Sequence, residues 1–530
     1  MTAALDKLQA RWQINEFPSF LQSMSASHAA WEVLKLKYSH KILSAAASSD
    51  SQAAPTFVIS FMGSSVTAGH DSPFNDSFPV QTGNIMAPAF EALGIRLDSR
   101  NTAMGNNPCV PYDICPRTYS GLDADIIHWE QSFNCFGSSS DSRHVFEQFI
   151  RQSVSSPSKP IVVFSTSDTP NWPSKDCDGK DASATPKLSA EEKTALDHVM
   201  HGRTKNVVSE VNKNGPATKP WGAVSNMFKA YQTLAGIQLW DHTSYKAYKC
   251  LGPYIAGWQN QGVASWHPSK LGHELRAAHY SYFWLQCLRD AIVEMSRNLT
   301  AGQSPENLAA QVKKHQETQA KHSPPAALYP EAGFTDQMQC LTTFEPKWDR
   351  DADLLKYVVG GLANSSSSSS SAAAPWTKNI FEMLTEPKII SKAKERGYLD
   401  FKHMLYGDKN SLPLSLRFTI GKKGKGTGFL CQPCGNWGRL PKGFANFWEV
   451  GTKVYLTRDV QVAAGDSFSF SPSLPKTEEL KYTNRKPKDT QTICVDFAPF
   501  VFPPGTHIIT IVPTSEQKIM ISSLLLPSKD

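Results

Sequence analysis

Ser65 closes the run Phe57-Val-Ile-Ser-Phe-Met-Gly-Ser-Ser65, where an apolar stretch stops at small residues and continues as Val66, Thr67, Ala68, Gly69 and His70. A serine hydroxyl becomes a nucleophile when an imidazole takes its proton and N–H donors face the developing oxyanion. A histidine suited to that task stands far along the chain: His267, in Ser265-Trp-His-Pro-Ser-Lys-Leu-Gly-His273. Pro268 fixes the backbone directly after it, and the chain reads as helix from Leu271. Two loops supply donor candidates. Arg100-Asn-Thr-Ala-Met-Gly105 offers the Gly105 N–H, because glycine lets the backbone approach closely. Glu130-Gln-Ser-Phe-Asn134 offers the side-chain NH2 of Asn134. Each residue has an ordinary alternative: a turn serine, one of 15 histidines on the surface or in the core, a turn glycine, a capping asparagine.

The elements that would position them alternate. Short apolar strands are expected at Thr56–Met62, Ile95–Arg100, Ala124–Trp129 and Ile161–Ser165. Helices are expected at Gln81–Leu93, Arg143–Ser153, Ala190–Asn212, Met227–Leu234 and Leu271–Met295, after an N-terminal helical segment over 1–54. Near-continuous apolar strands between helices imply a parallel sheet covered on both faces, with sites at the C-terminal strand ends. All the candidate residues fall after such ends or at a helix start.

Near residue 300 the pattern changes. A polar helical stretch and Ser323-Pro-Pro form a linker over 301–325, and 326–530 is strand-like with Gly and Pro turns. Strands are expected at Pro413–Ile420, Lys453–Leu456, Ser467–Phe470, Thr492–Phe497, His507–Val512 and Lys518–Leu525, which suggests a smaller antiparallel β-sandwich. The tract Ser365–Ser371 is low complexity.

Composition excludes several classes. A net charge of +6 with only short basic runs argues against a nucleic-acid binder. No segment reaches the ~18 apolar residues of a membrane span. The N-terminus lacks the apolar core of a signal peptide, yet ten cysteines and the sequons at Asn75, Asn298 and Asn364 suggest a glycoprotein of the secretory pathway or the extracellular space. Gly421–Gly428 lacks the ending of a phosphate loop, and Cys431-Gln-Pro-Cys434 is half a zinc site at best. Neither metal nor cofactor is expected.

The G-x-S-x-G elbow of α/β-hydrolases is absent from Gly63-Ser-Ser-Val-Thr67. Over roughly residues 55–290, within a domain expected over 55–300, the blocks resemble those of the SGNH (GDSL-type) hydrolase superfamily. Gly63–Ser65 is similar to its first block, Asn101–Gly105 to its second, Gln131–Asn134 to its third, and His267-Pro with Gly272-His273 to its last. The resemblance implies a three-layer α/β domain with Ser65 as nucleophile and His267 as base, and an oxyanion hole from the Ser65 and Gly105 N–H groups and Asn134. It further implies a small acyl ester or acylated glycan as substrate. The chain departs from the pattern: Ser64 stands where the family has Asp, Gln131 replaces Gly, Cys135 replaces Asp, and Ala264 takes the position of the acid. The far side of His267 is then met by a backbone carbonyl or by a substitute carboxylate, for which Asp241 is the candidate, or the enzyme is impaired. The alternatives to an esterase are an O-acyltransferase and a glycan-binding protein with a decayed hydrolase domain. Among the cysteines, Cys109–Cys115 is the first expected pair, and Cys431 and Cys434 are expected as a small disulfide or as thiols.

Overall fold

A computed structural model describes residues 1–12, 26–48, 54–70, 72–105, 109–131, 143–165, 225–240, 268, 270–321, 324–328, 338–362, 373–380, 402–422, 424, 426–433, 440–460, 468–481, 492–497 and 500–528. The helix expected at Ala190–Asn212 lies outside them.

Strand β1 (Thr56–Gly63) lies between β2 (Arg96–Asn101) and β3 (Ile126–Glu130); β4 (Ile161–Ser165) and β5 (Gln238–Trp240) complete a five-stranded sheet in the order β2-β1-β3-β4-β5. Every pairing in it is parallel. The helices are α1 (Thr2–Trp12), α2 (Ala26–Ala47), the single turn α3 (Ser65–Ala68), α4 (Phe78–Glu91), the short α5 (Cys109–Tyr112) and α6 (Pro116–Ser120), α7 (Arg143–Val154), α8 (Ser225–Ala235), α9 (Lys270–Thr300) and α10 (Pro305–Lys321).

The inner strands β1 and β4 are almost wholly apolar because successive side chains enter different cores, whereas the edge strand β2 (Arg-Leu-Asp-Ser-Arg-Asn) is mostly polar. Phe57, Ile59 and Phe61 join Leu34, Tyr38, Phe90 and Trp284, so α2, α4 and α9 cover one face. Leu5, Leu8 and Trp12 belong to the same cluster, which makes α1 part of this core. Val58 and Met62 join Phe146, Phe149, Phe228 and Tyr231 from α7 and α8 on the other face. Helix α10 is mostly polar, and among its described residues it buries only Leu308 and Val312.

The described strands after residue 337 pair antiparallel. One sheet has the order β13-β12-β15-β10-β7, built from β7 (Val358–Gly360), β10 (Leu414–Ile420), β12 (Lys453–Arg458), β13 (Thr477–Leu480) and β15 (Gly505–Val512). A second has the order β14-β11-β17-β6, built from β6 (Met338–Thr342), β11 (Phe429–Pro433), β14 (Thr492–Asp496) and β17 (Ser523–Pro527). A small third sheet joins β8 (Thr377–Ile380), β9 (His403–Gly407) and β16 (Ile519–Ile521). Leu416 and Ile509 from the first sheet meet Leu430 and Leu524 from the second in a shared core, which is the packing of a sandwich. The strand expected at Lys518–Leu525 is two strands that belong to different sheets. The described part of the stretch expected as a strand at Ser467–Phe470 forms none, although the Phe468 N–H donates to the Val359 carbonyl at 2.7 Å.

The second sheet is apolar on both faces. Met338, Cys340, Phe429, Cys431 and Leu525 turn away from the sandwich core and pack with Tyr112, Ile114, Tyr119 and Trp129 of the first domain. Hydrogen bonds cross the same junction: Thr118 Oγ1 donates to the Cys340 carbonyl at 3.1 Å, and the Asp349 N–H to the Thr118 carbonyl at 3.0 Å. The disulfide expected between Cys109 and Cys115 is corrected here. Cys115 pairs with Cys340, 225 residues away, across this junction, and Cys109 is disulfide-bonded separately. Cys431 pairs with Cys494, its register partner on β14, rather than with Cys434. Proximity along the chain misled in both cases, because strand pairing and sheet stacking place the partners.

Asp113 stands in the chain between Tyr112 and Ile114, which pack in this junction. Its carboxyl is fully buried and neither oxygen has a hydrogen bond of good geometry. Burial holds it well above the ordinary carboxylate range, with the Asp113 and Ile114 amides only partly opposing.

Two outcomes are expected. Replacing Cys115 and Cys340 by alanine should lower stability by about 3–5 kcal/mol, from the loop entropy released to the unfolded chain. Calorimetry should still record one cooperative transition, because the apolar junction persists; two separate transitions would contradict it. Asp113→Asn tests the buried acid. The raised folded pKa costs little at pH 3.5, where both states are mostly protonated. It costs increasingly as pH rises past the unfolded carboxyl range near ~4. The midpoint of the variant relative to wild type should therefore climb between pH 3.5 and pH 8, and a flat difference would refute the unpaired buried carboxyl.

Candidate active site

The turn after β1 carries Ser65. Gly63 ends the strand as glycine because a Cβ there would lie 2.2 Å from Thr67 Oγ1 and 2.9 Å from the Glu130 carbonyl. Ser64 caps α3, accepting the Val66 N–H on its side chain at 3.3 Å. Ser64 Oγ also donates to Glu130 Oε2 at 2.9 Å, and Thr67 Oγ1 donates to the same oxygen at 2.8 Å. Glu130 is fully buried, and its backbone carbonyl accepts the Ser64 N–H at 2.8 Å. So the carboxylate at this turn comes from the end of β3, and Ser64, which departs from the family pattern, is its hydroxyl partner. Sequence reading missed Glu130; it is one more residue at a strand end, with nothing local to mark it.

Ser65 is the partly exposed member of the turn, between buried Ser64 and Val66. Gly69 closes α3 in the left-handed region at φ 86°, where a Cβ would stand 2.6 Å from the Ser77 Cβ. The His70 N–H then donates to the Ser65 carbonyl at 3.0 Å.

The loop after β2 is fastened to the same turn. Asn101 Nδ2 donates to the Thr67 carbonyl at 3.1 Å, and the Met104 N–H donates to the Gly63 carbonyl at 3.1 Å. Gly105 follows directly, and the His70 ring lies against it. Ser65 and Gly105 are thus brought together at adjacent strand ends. Asn134, Asp241 and His267 lie outside the described residues. Pro268, which follows His267 in the chain, accepts a hydrogen bond from Ser72 Oγ at 3.3 Å on its carbonyl. His273, from the same sequence block, is buried, and its Nδ1 accepts the Phe78 N–H at 3.2 Å at the start of α4.

A further histidine supports the sheet. His128 of β3 is fully buried, and burial depresses its pKa to about 3, so it is neutral. Its Nδ1 faces the Met62 carbonyl at 3.3 Å and therefore carries the proton; its Nε2 accepts from Tyr280 Oη and Ser165 Oγ, each at 2.8 Å. Among the described residues no group of three or more His, Cys, Asp or Glu side chains is arranged to hold a metal ion, and no helix is long and apolar enough to cross a membrane.

Glu130→Ala should destabilise the protein by about 2–4 kcal/mol, since two buried hydroxyls lose their acceptor. Glu130→Gln, which keeps an acceptor, should lose less; equal denaturation midpoints for wild type and Glu130→Ala would show that the clamp contributes nothing.

No family model and no curated protein matches the chain. Solved structures do. A two-domain esterase (CEX) active on acetylated mannans, co-crystallized with mannopentaose, is 11% identical with a TM-score of 0.39, covering 90% of this chain and 93% of its own. A protein from Parabacteroides merdae taken to be a GDSL-like lipase is 14% identical with a TM-score of 0.26, covering 44% of this chain and 96% of its own. A carbohydrate esterase family 2 enzyme plus carbohydrate binding domain from Corynascus thermopiles (Myceliophthora fergusii) is 12% identical with a TM-score of 0.23, covering 44% and 66%. At such values these likenesses bring neither substrate nor mechanism to this chain. The parallel order β2-β1-β3-β4-β5, with helices on both faces and the serine turn after β1 tied to the glycine loop after β2, gives the first domain the expected three-layer α/β fold, and a β-sandwich is packed against it.

Proposed function

We propose that the protein is a serine esterase that removes small acyl groups, O-acetyl groups of carbohydrate among them, through an acyl-enzyme. The observation that carries this reading is the partly exposed Ser65 on a turn locked from beneath by Glu130 and fastened to the Gly105 loop by the Met104 N–H. A fixed nucleophile beside fixed donors is what acyl transfer requires.

Ser65 Oγ attacks the ester carbonyl carbon while its proton passes to His267. The Ser65 and Gly105 N–H groups and the Asn134 amide hold the oxyanion. The bond to the alcohol breaks, and the alcohol leaves with the proton from His267. Water then attacks the acyl-enzyme, giving its proton to His267, and that proton returns to Ser65 Oγ as the carboxylic acid departs. The hydrogen bond between Ser72 and the Pro268 carbonyl supports the role of His267, because it ties that segment to the continuation of the serine turn. Asp241, or a backbone carbonyl, is assigned to the far imidazole nitrogen. The disulfides fit an oxidising compartment.

The test is turnover of p-nitrophenyl acetate, and acetate release from an acetylated glycan, by wild type and Ser65→Ala. Loss of Ser65 should lower kcat by roughly 10³-fold or more. Equal rates would remove Ser65 from the mechanism.

A further inference from the structure

We infer that His70 is a positioning residue for the Gly105 N–H: its imidazole occupies the space over the Gly105 α carbon and locks the loop after β2 to the turn that bears Ser65. This rests on the reading of Ser65 and Gly105 given above.

A Cβ built on Gly105 would lie 1.9 Å from His70 Cε1, 2.6 Å from Nδ1 and 2.7 Å from Nε2. Three ring atoms so close place the imidazole directly on the glycine. Gly105 is also absent from the positive-φ glycines, so its conformation alone does not call for glycine; the imidazole does. His70 reaches this position through Gly69, whose left-handed φ of 86° turns the chain back so that the His70 N–H meets the Ser65 carbonyl at 3.0 Å. The donor residue is therefore held from both sides. The Met104 N–H is bonded to Gly63 on one side of the proposed donor, and the His70 ring packs on the donor residue itself. Without the ring the second of these is lost. A small displacement of an oxyanion donor costs rate more than it costs ground-state binding.

The experiment uses the full chain with two readouts. Phosphonylation of Ser65 by a fluorophosphonate, in which Ser65 Oγ bonds to phosphorus and fluoride leaves, reports on the nucleophile. Hydrolysis of p-nitrophenyl acetate reports kcat and KM separately. His70→Ala should lower kcat by ~10- to 100-fold with KM changed by less than about threefold, and His70→Gln should recover part of the loss. Gly105→Ala should be severe beside His70, and should cost little further in the His70→Ala background, because the space is then empty. If Gly105→Ala does not fold alone, the two His70 variants still decide. Unchanged kcat in His70→Ala, with Ser65 still phosphonylated, overturns the positioning role and leaves the esterase reading intact. A wild type whose Ser65 is never labelled overturns the esterase reading, and this inference with it.

Discussion

One buried carboxylate organises the site end of the first domain. Glu130 Oε2 takes hydrogen bonds from two hydroxyls of a single turn, Ser64 and Thr67. A buried carboxylate is costly unless donors replace its water, and donors to a charged acceptor are stronger than neutral pairs. The clamp joins the end of β3 to the turn after β1, and it needs Thr67 so close that Gly63 can carry no side chain. Asn101 and Met104 then fasten the end of β2 to the same turn. Three parallel strands thus end in one bonded unit, with Ser65 on its partly exposed side.

The sandwich is built into the first domain rather than hung from it. Its second sheet buries side chains on both faces, one toward the sandwich core and one toward Tyr112, Tyr119 and Trp129. Those aromatic residues come from β3 and from the segment that follows Gly105. The junction therefore backs the segments that carry the site, and motion of the sandwich as a separate unit would expose apolar surface on both partners. Cys115–Cys340 staples the place where they meet.

Polar groups in this interior fall into two kinds. His128 is satisfied by Met62, Ser165 and Tyr280, and is kept neutral by burial. His273 is spent on the amide of Phe78 at the start of α4. Both imidazoles serve the frame. His70, by contrast, is only partly buried and lies at the glycine of the loop beside Ser65.

Local sequence determined a good deal. Apolar runs gave the strands over Thr56–Gly63 and Ile161–Ser165, and helical spacing gave α7, α8 and α9, because period and burial are properties of a short window. Order along the chain also put Ser65 and Gly105 at neighbouring strand ends. The tertiary structure alone decided the rest. Cys115 met Cys340 instead of Cys109, Cys431 met Cys494 instead of Cys434, and β5 formed on three residues too short to read. The reason is common to all of these. A disulfide, a carboxylate clamp or an imidazole seated on a glycine depends on where strands and sheets stack, and no window of sequence contains that distance.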